Sequence, residues 1–206
     1  MTYDMRKLVI YVHGKGGNAA EAEHYVPLFN DADVVGFDYV SSTPWQAKTE
    51  FSDYFDNSVV GYDEVYVVAN SIGAFFTMTA LGGKKIKRAY FISPIVNMER
   101  LISDMIKWAN VTEAQLEEQK EIPTSFGETL SWEYLSYVRT HPIVWTVPTA
   151  VLYGENDNLT PLFEIKNFAK AASASLTVVP GGEHWFHTAE QLAALDRWIE
   201  EKSAKF

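Results

Sequence analysis

The chain has no cysteine. That removes disulfides, thiolate nucleophiles and cysteine metal sites, and it fits a reducing compartment. Positive charge is scarce. Lys and Arg number 17 against 27 Asp and Glu, a net charge of −10 over 206 residues. Such a chain repels phosphate backbones, so nucleic acid is a poor partner. No apolar run reaches the roughly 20 residues a membrane helix needs. The opening stretch MTYDMRKLVIYVHGKGG lacks the basic segment and long apolar run of a signal peptide. The expectation is a soluble, cytoplasmic protein without a membrane span. Internal repeats and low-complexity segments are absent too. What is present is a 47% hydrophobic composition. That is enough for one α/β core with an insertion.

Six apolar runs of strand length are each ended by turn residues: KLVIYV (7–12), DVVGFDY (33–39), EVYVVA (64–69), RAYFIS (88–93), TAVLYG (149–154) and SLTVVP (175–180). They do not alternate apolar with polar. Strands buried on both faces, as in a parallel sheet, read this way. Helical patterns lie between them. NAAEAEHYVPLF follows the first run, with Asn18 and Glu21 at capping-box spacing. AFFTMTALGG follows the third and stops at Gly82-Gly83, IKNFAKAA follows the fifth, and TAEQLAALDRWIEEK comes last, with Thr188 and Gln191 as another capping box. Strand and helix in alternation predict a three-layer, doubly wound α/β sheet of about six parallel strands. One segment, 95–147, is too long for a connection and reads as a helical insertion. Its first helix places Met98, Leu101, Ile102, Met105 and Ile106 on one face. Thr112 and Gln115 cap a second, and LSWEYLSYVR is a third, ended by His141-Pro142.

Ligands of parallel sheets bind beyond the carboxyl ends of the strands. Four loops there carry chemistry. HGKGGNAA (13–20) suits backbone N–H groups that stabilise an oxyanion. It also reads as a dinucleotide fingerprint, Gly14-x-Gly16-x-x-Ala19, with Asp38 about twenty residues on as the ribose acid. ANSIGA (69–74) places Ser71 between a strand and a helix, either as a helix N-cap or as the serine of a nucleophile elbow. In the elbow pattern G-x-S-x-G, Gly73 fits and Ala69 replaces the first glycine. YGENDNLTP (153–161) offers Asp157, with Glu155 as the fallback, either as turn formers or as an acid that orients a histidine. PGGEHWFHTAEQ (180–191) offers His184 and His187. His187 is tied to the Thr188 cap, so His184 is preferred. Their i, i+3 spacing has no third ligand beside it, so no metal site is expected.

Taken together, the loops deliver serine, acid and histidine in the order Ser71, Asp157, His184, each after a separate strand at one end of the sheet. The dinucleotide reading explains only the first loop and Asp38. With HGKGGN, ANSIGA, YGENDN and GGEHWF in place, the chain resembles the α/β-hydrolase superfamily over almost its whole length, and looks like a small esterase-like serine hydrolase. It departs from the pattern at Ala69 and in leaving no room before KLVIYV for two antiparallel strands that many members carry. The resemblance implies Ser71 as nucleophile, His184 as base and Asp157 as its orienting acid. It implies an oxyanion hole from the Ile72 N–H and that of Lys15 or Gly16, and no cofactor. It implies a small ester-like substrate, with the insertion at 95–147 standing where a lid is found. His13 is expected to be structural. Aromatic side chains suit either burial or an apolar substrate pocket. Trp45, Trp108, Trp132 and Trp185 are the pocket candidates. A scaffold of this fold without activity is a further alternative.

Overall fold

The computed structural model describes residues 5–204. It divides into two compact units. One comprises the chain up to Val96 and from Val144 onward, and the other is Asn97–Ile143.

The first unit is built on a six-stranded sheet: β1 (Lys7–Val12), β2 (Asp33–Phe37), β3 (Glu64–Asn70), β4 (Arg88–Ile92), β7 (Thr149–Gly154) and β8 (Ser175–Val179). The order is β2-β1-β3-β4-β7-β8, and every pairing is parallel. The strands arise where the six apolar runs stand; the central strands β1, β3, β4 and β7 are buried on both faces as expected, whereas the edge strands β2 and β8 are partly exposed. On one face Val9, Tyr11, Tyr66, Val68, Tyr90, Ile92 and Leu152 pack with Tyr25, Phe29, Leu195, Trp198 and Ile199. Those partners come from the segment Ala19–Leu28 with its C-cap Phe29, and from α7 (Ala189–Ser203). The other face lies under α1 (Pro44–Ser58), α2 (Ile72–Leu81) and α6 (Leu162–Ala171). There Phe37 packs on Phe51, Phe51 on Phe76 and Phe91 on Phe168. Full burial of each such side chain contributes about 1.5–3 kcal/mol before entropy is counted.

Several features of this unit differ from the sequence expectation. Thr188 caps α7, but Gln191 Oε1 accepts from the His187 N–H at 3.2 Å, so the expected capping box does not close. The segment Ala19–Leu28 is wound as a 3-10 helix with Pro27 inside it, although the Asn18/Glu21 capping box forms as expected. Helix α1 was not anticipated. Its Thr43 cap, the proline at its start and the buried Ala47, Phe51 and Phe55 at helical spacing explain it.

The second unit contains α3 (Met98–Trp108), α4 (Glu113–Gln119) and α5 (Trp132–Thr140), with a short hairpin of β5 (Glu121–Pro123) and β6 (Thr129–Ser131). The three helices match the three patterns in the insertion, and Thr112/Gln115 forms a capping box. The hairpin was not expected, since strands of three residues leave no periodicity to detect. Met98, Ile102 and Ile106 are the buried residues of α3, and Leu116, Leu130 and Leu135 are fully buried. Arg139 of α5 donates to Glu99 of α3 at 2.8 Å and to Glu113 of α4 at 2.5 and 2.9 Å. Among the described residues no helix is long and apolar enough to cross a membrane.

Candidate active site

The strand order reverses at β1. The chain leaves β1 for the edge strand β2 and returns to β3 on the other side. Crevices open at such points beyond the strand ends. The register pairs Val12 with Ala69. Two residues further along each strand stand Gly14 and Ser71, and a Cβ built on Gly14 would lie 3.3 Å from the Ser71 Cβ. The glycine-rich loop and the serine turn are therefore neighbours as a consequence of strand register.

Ser71 has φ 51° and ψ −120°, a conformation that side chains rarely adopt. Its side chain makes no cap hydrogen bond to α2. The N-cap reading is thereby corrected: Ser71 stands at the start of α2, but its hydroxyl faces His184 instead of the helix. The backbone is gripped instead. The Ser71 N–H donates to the Ile92 carbonyl at 3.0 Å, and its carbonyl accepts from the Ile95 N–H at 3.2 Å. Gly73 is required by close approach. A Cβ there would overlap the His13 carbonyl oxygen and stand 3.0 Å from the Val12 carbonyl oxygen. Ala69 is fully buried within β3.

The Ser71 Oγ lies 2.8 Å from His184 Nε2, and His184 Nδ1 lies 2.7 Å from Asp157 Oδ2. A carboxylate accepts, so Nδ1 carries the ring proton of a neutral imidazole and Nε2 is left to accept from the serine hydroxyl. The Asp157 side chain is fully buried. A buried carboxylate needs hydrogen bonds. Asp157 Oδ1 accepts from the N–H groups of Leu159 at 2.8 Å and Thr160 at 3.0 Å. Burial, then the negative charge of Asp157, pushes the Tyr153 hydroxyl up to about 12. It stays protonated at neutral pH and donates to the Thr160 carbonyl at 2.7 Å.

The two fallback residues are engaged elsewhere. Glu155 accepts from the Gly181 N–H at 2.9 Å, tying the acid loop to the histidine loop. At the same junction a Cβ on Gly154 would stand 2.6 Å from the Gly182 carbonyl carbon, so the loops touch backbone to backbone. His187 Nδ1 lies 2.7 Å from the Trp185 carbonyl, and its ring stacks on Trp185.

In the first loop the Gly17 N–H donates to the Gly14 carbonyl at 3.1 Å, and Gly16 has φ 77°. Lys15 and Gly16 form the tip of this turn. His13 is buried, stacked on Tyr39 at 4.2 Å, with Nδ1 2.8 Å from the Gly14 carbonyl. Asp38 accepts from the Ala19 N–H at 3.4 Å, and Asn18 accepts from the Ala20 N–H at 2.9 Å. The leading N–H groups of the 3-10 segment are thus already partnered, and the dinucleotide reading finds no support in this geometry.

Trp45 and Trp185 belong to the first unit, and Trp108 and Trp132 to the second. Trp45 is the second residue of α1 and is half-buried. Trp185 is 68% exposed, and Trp108 meets Phe126 edge-on. Trp132 is half-buried and lines, with Tyr137 and His141, a groove of about 770 Å³ in the second unit. Sequence reasoning missed Ser93, Ile95 and Thr160 around the site. The signal for Thr160 was its place three residues after Asp157, the spacing at which an Asp side chain caps the following backbone.

No protein-family model matches the sequence, and no curated protein matches it either. Solved structures do match. Est1E from Butyrivibrio proteoclasticus superposes with a TM-score of 0.76 at 19% identity, over 99% of this chain and 89% of that one. Alpha/beta hydrolase domain-containing protein 10 from mouse gives a TM-score of 0.74 at 16% identity, over 96% and 90%. The thioesterase domain from the curacin biosynthetic pathway gives 0.58 at 15% identity, over 96% and 92%. The six parallel strands, their order and these superpositions establish that the chain has the α/β-hydrolase fold.

Proposed function

We propose that the protein is a serine hydrolase that cleaves a carboxylic ester, or a related acyl bond, of a small and largely apolar substrate through an acyl-enzyme. The observation that carries this reading is the hydrogen-bonded chain from Ser71 Oγ through His184 to the buried Asp157, with Ser71 on a strained turn. Ser71 attacks the acyl carbonyl carbon while its proton passes to His184 Nε2. Asp157 holds the ring and stabilises the imidazolium. The tetrahedral oxyanion is held by the Ile72 N–H, at the unsatisfied start of α2, and by the N–H of Lys15 or Gly16. Each such donor contributes about 3–4 kcal/mol to the transition state. Collapse expels the alcohol, which takes the proton from His184. Water then attacks the acyl-enzyme with His184 again as base, and Ser71 is released. Trp45 and Trp185 are proposed to contact the apolar part of the substrate.

The test is covalent labelling with a fluorophosphonate, read by intact mass. One phosphonyl adduct on the wild type, absent in Ser71→Ala and much slower in His184→Ala, is the expected result. An unlabelled wild type, with a small uncharged probe as well as a large one, refutes the proposal and favours a binding scaffold without turnover.

A further inference from the structure

The acid loop and the serine turn are joined through one buried residue, Thr160. It is 4% exposed. Its N–H donates to Asp157 Oδ1 at 3.0 Å, its carbonyl accepts from Tyr153 at 2.7 Å, and its hydroxyl donates to the Pro94 carbonyl at 3.4 Å. Pro94 belongs to the turn after β4. Ser93, just before it, is fully buried with φ 43°. That left-handed turn brings the Ile95 N–H onto the Ser71 carbonyl, while the Ile92 carbonyl receives the Ser71 N–H. The segment Ile92–Ile95 therefore grips both backbone polar groups of Ser71, and Thr160 hydrogen-bonds to the middle of that segment.

We propose that Thr160 is a positioning residue that seats Asp157, and through it the His184 ring, against the Ser71 turn. Asp157 stands in a loop, and loops move more than the elements they join. Its Oδ2 serves His184, while Oδ1 is held by two N–H groups, one of them that of Thr160. Any withdrawal of Thr160 loosens Oδ1, lets the carboxylate rotate, and removes the acceptor that keeps the ring proton on Nδ1. The Thr160 hydroxyl opposes withdrawal, because leaving the buried Pro94 carbonyl without its donor is unfavourable. The effect on rate rests on the hydrolase reading above; the effect on the ring rests on geometry alone.

The experiment compares wild type, Thr160→Val and Thr160→Ser. Valine keeps the shape and the backbone bonds but loses the hydroxyl; serine restores it. In 15N-labelled protein the two imidazole nitrogens of His184 are read through the ring C–H protons and assigned with His184→Ala. Wild type and Thr160→Ser should show one tautomer, protonated on Nδ1. Thr160→Val should show shifts averaged between tautomers, with fluorophosphonate labelling slowed about 10-fold. Thr160→Ala, which introduces no packing conflict, must shift in the same direction and replaces valine if that variant does not fold. His184 shifts in both variants that equal those of the wild type overturn the proposal, as do averaged tautomers in the wild type. The ring nitrogens report without turnover. A wild type that takes no adduct therefore refutes the hydrolase reading, while the shifts still decide the role of Thr160.

Discussion

Replacing Ser71 by glycine should leave the protein more stable than replacing it by alanine, the usual order at a helix N-cap, widened here by strain in the turn. At φ 51° and ψ −120° a residue with a Cβ is strained. Such conformations cost on the order of 1–3 kcal/mol. Both variants lose the hydroxyl bond to His184, so that term cancels between them. Alanine retains the Cβ and the strain. Glycine is free of it but carries about 0.5–1 kcal/mol of extra unfolded-state entropy. At the middle of both ranges the difference is about 1.3 kcal/mol in favour of glycine. For a chain of 206 residues each kcal/mol moves Tm by about 2–4 °C. Ser71→Gly should therefore melt roughly 3–5 °C above Ser71→Ala. Urea unfolding should show the same order with equal m values, which would exclude an effect on the compactness of the unfolded chain. Neither variant should take a fluorophosphonate adduct. Equal stability, or alanine above glycine, refutes the claim that the serine turn is strained.

Asp157→Asn should slow labelling by about 10³–10⁴-fold, because an amide can donate to Nδ1 and favour the wrong tautomer. Glu155→Gln should leave the labelling rate within about 2-fold and lower stability by about 1 kcal/mol through its bond to the Gly181 N–H. A rate loss confined to Glu155→Gln would reverse the assignment of the acid. Gly73→Ala should cost about 1–3 kcal/mol, since the new methyl meets the His13 carbonyl, and should also abolish labelling by spreading the turn; urea unfolding and intact mass read the two effects. In the second unit, hydrogen bonding to Arg139 holds the Glu113 carboxyl below its ordinary range. The pair's contribution is therefore complete above the ordinary carboxylate range and is lost as pH falls through the lowered value. The Glu113 side chain is 46% exposed, so the loss is small. The protection factors of amides in α4 and α5, corrected for the intrinsic pH dependence of exchange, should fall in acid in the wild type, and Arg139→Met should remove that change.

The sheet and the residues of the proposed triad were legible because both are local signals. A strand buried on both faces must be apolar throughout, so runs such as KLVIYV and EVYVVA mark themselves. Serine and glycine crowd at 71 and 73 because the chain must turn sharply between β3 and α2. The capping boxes at Asn18 and Thr112 are equally local, each being a pair of side chains within one turn of its own backbone. Helix α1 carried a signal in Thr43-Pro44 and in Ala47, Phe51 and Phe55. Seven polar residues between Gln46 and Asp56 dilute its apolar face, and it passed unrecognised.

Other choices belonged to the tertiary structure. Asp157 and Glu155 carry the same group two residues apart, and the sequence favours Asp157 without fixing which of them meets the histidine. The turn after β7 fixes it, by aiming one at His184 and the other at Gly181. Whether Ser71 caps its helix or faces a histidine depends on a backbone angle that register and the Ile92–Ile95 segment impose from another strand. Thr160 reaches Pro94 across 66 positions of sequence. The sequence by itself determined which strands form and which chemical groups stand at their carboxyl ends, because those follow from burial and turn sterics along the chain. Which of those groups meet, at what distance and with which proton, is decided by contacts between residues far apart in the chain, and these exist only once the strands have paired.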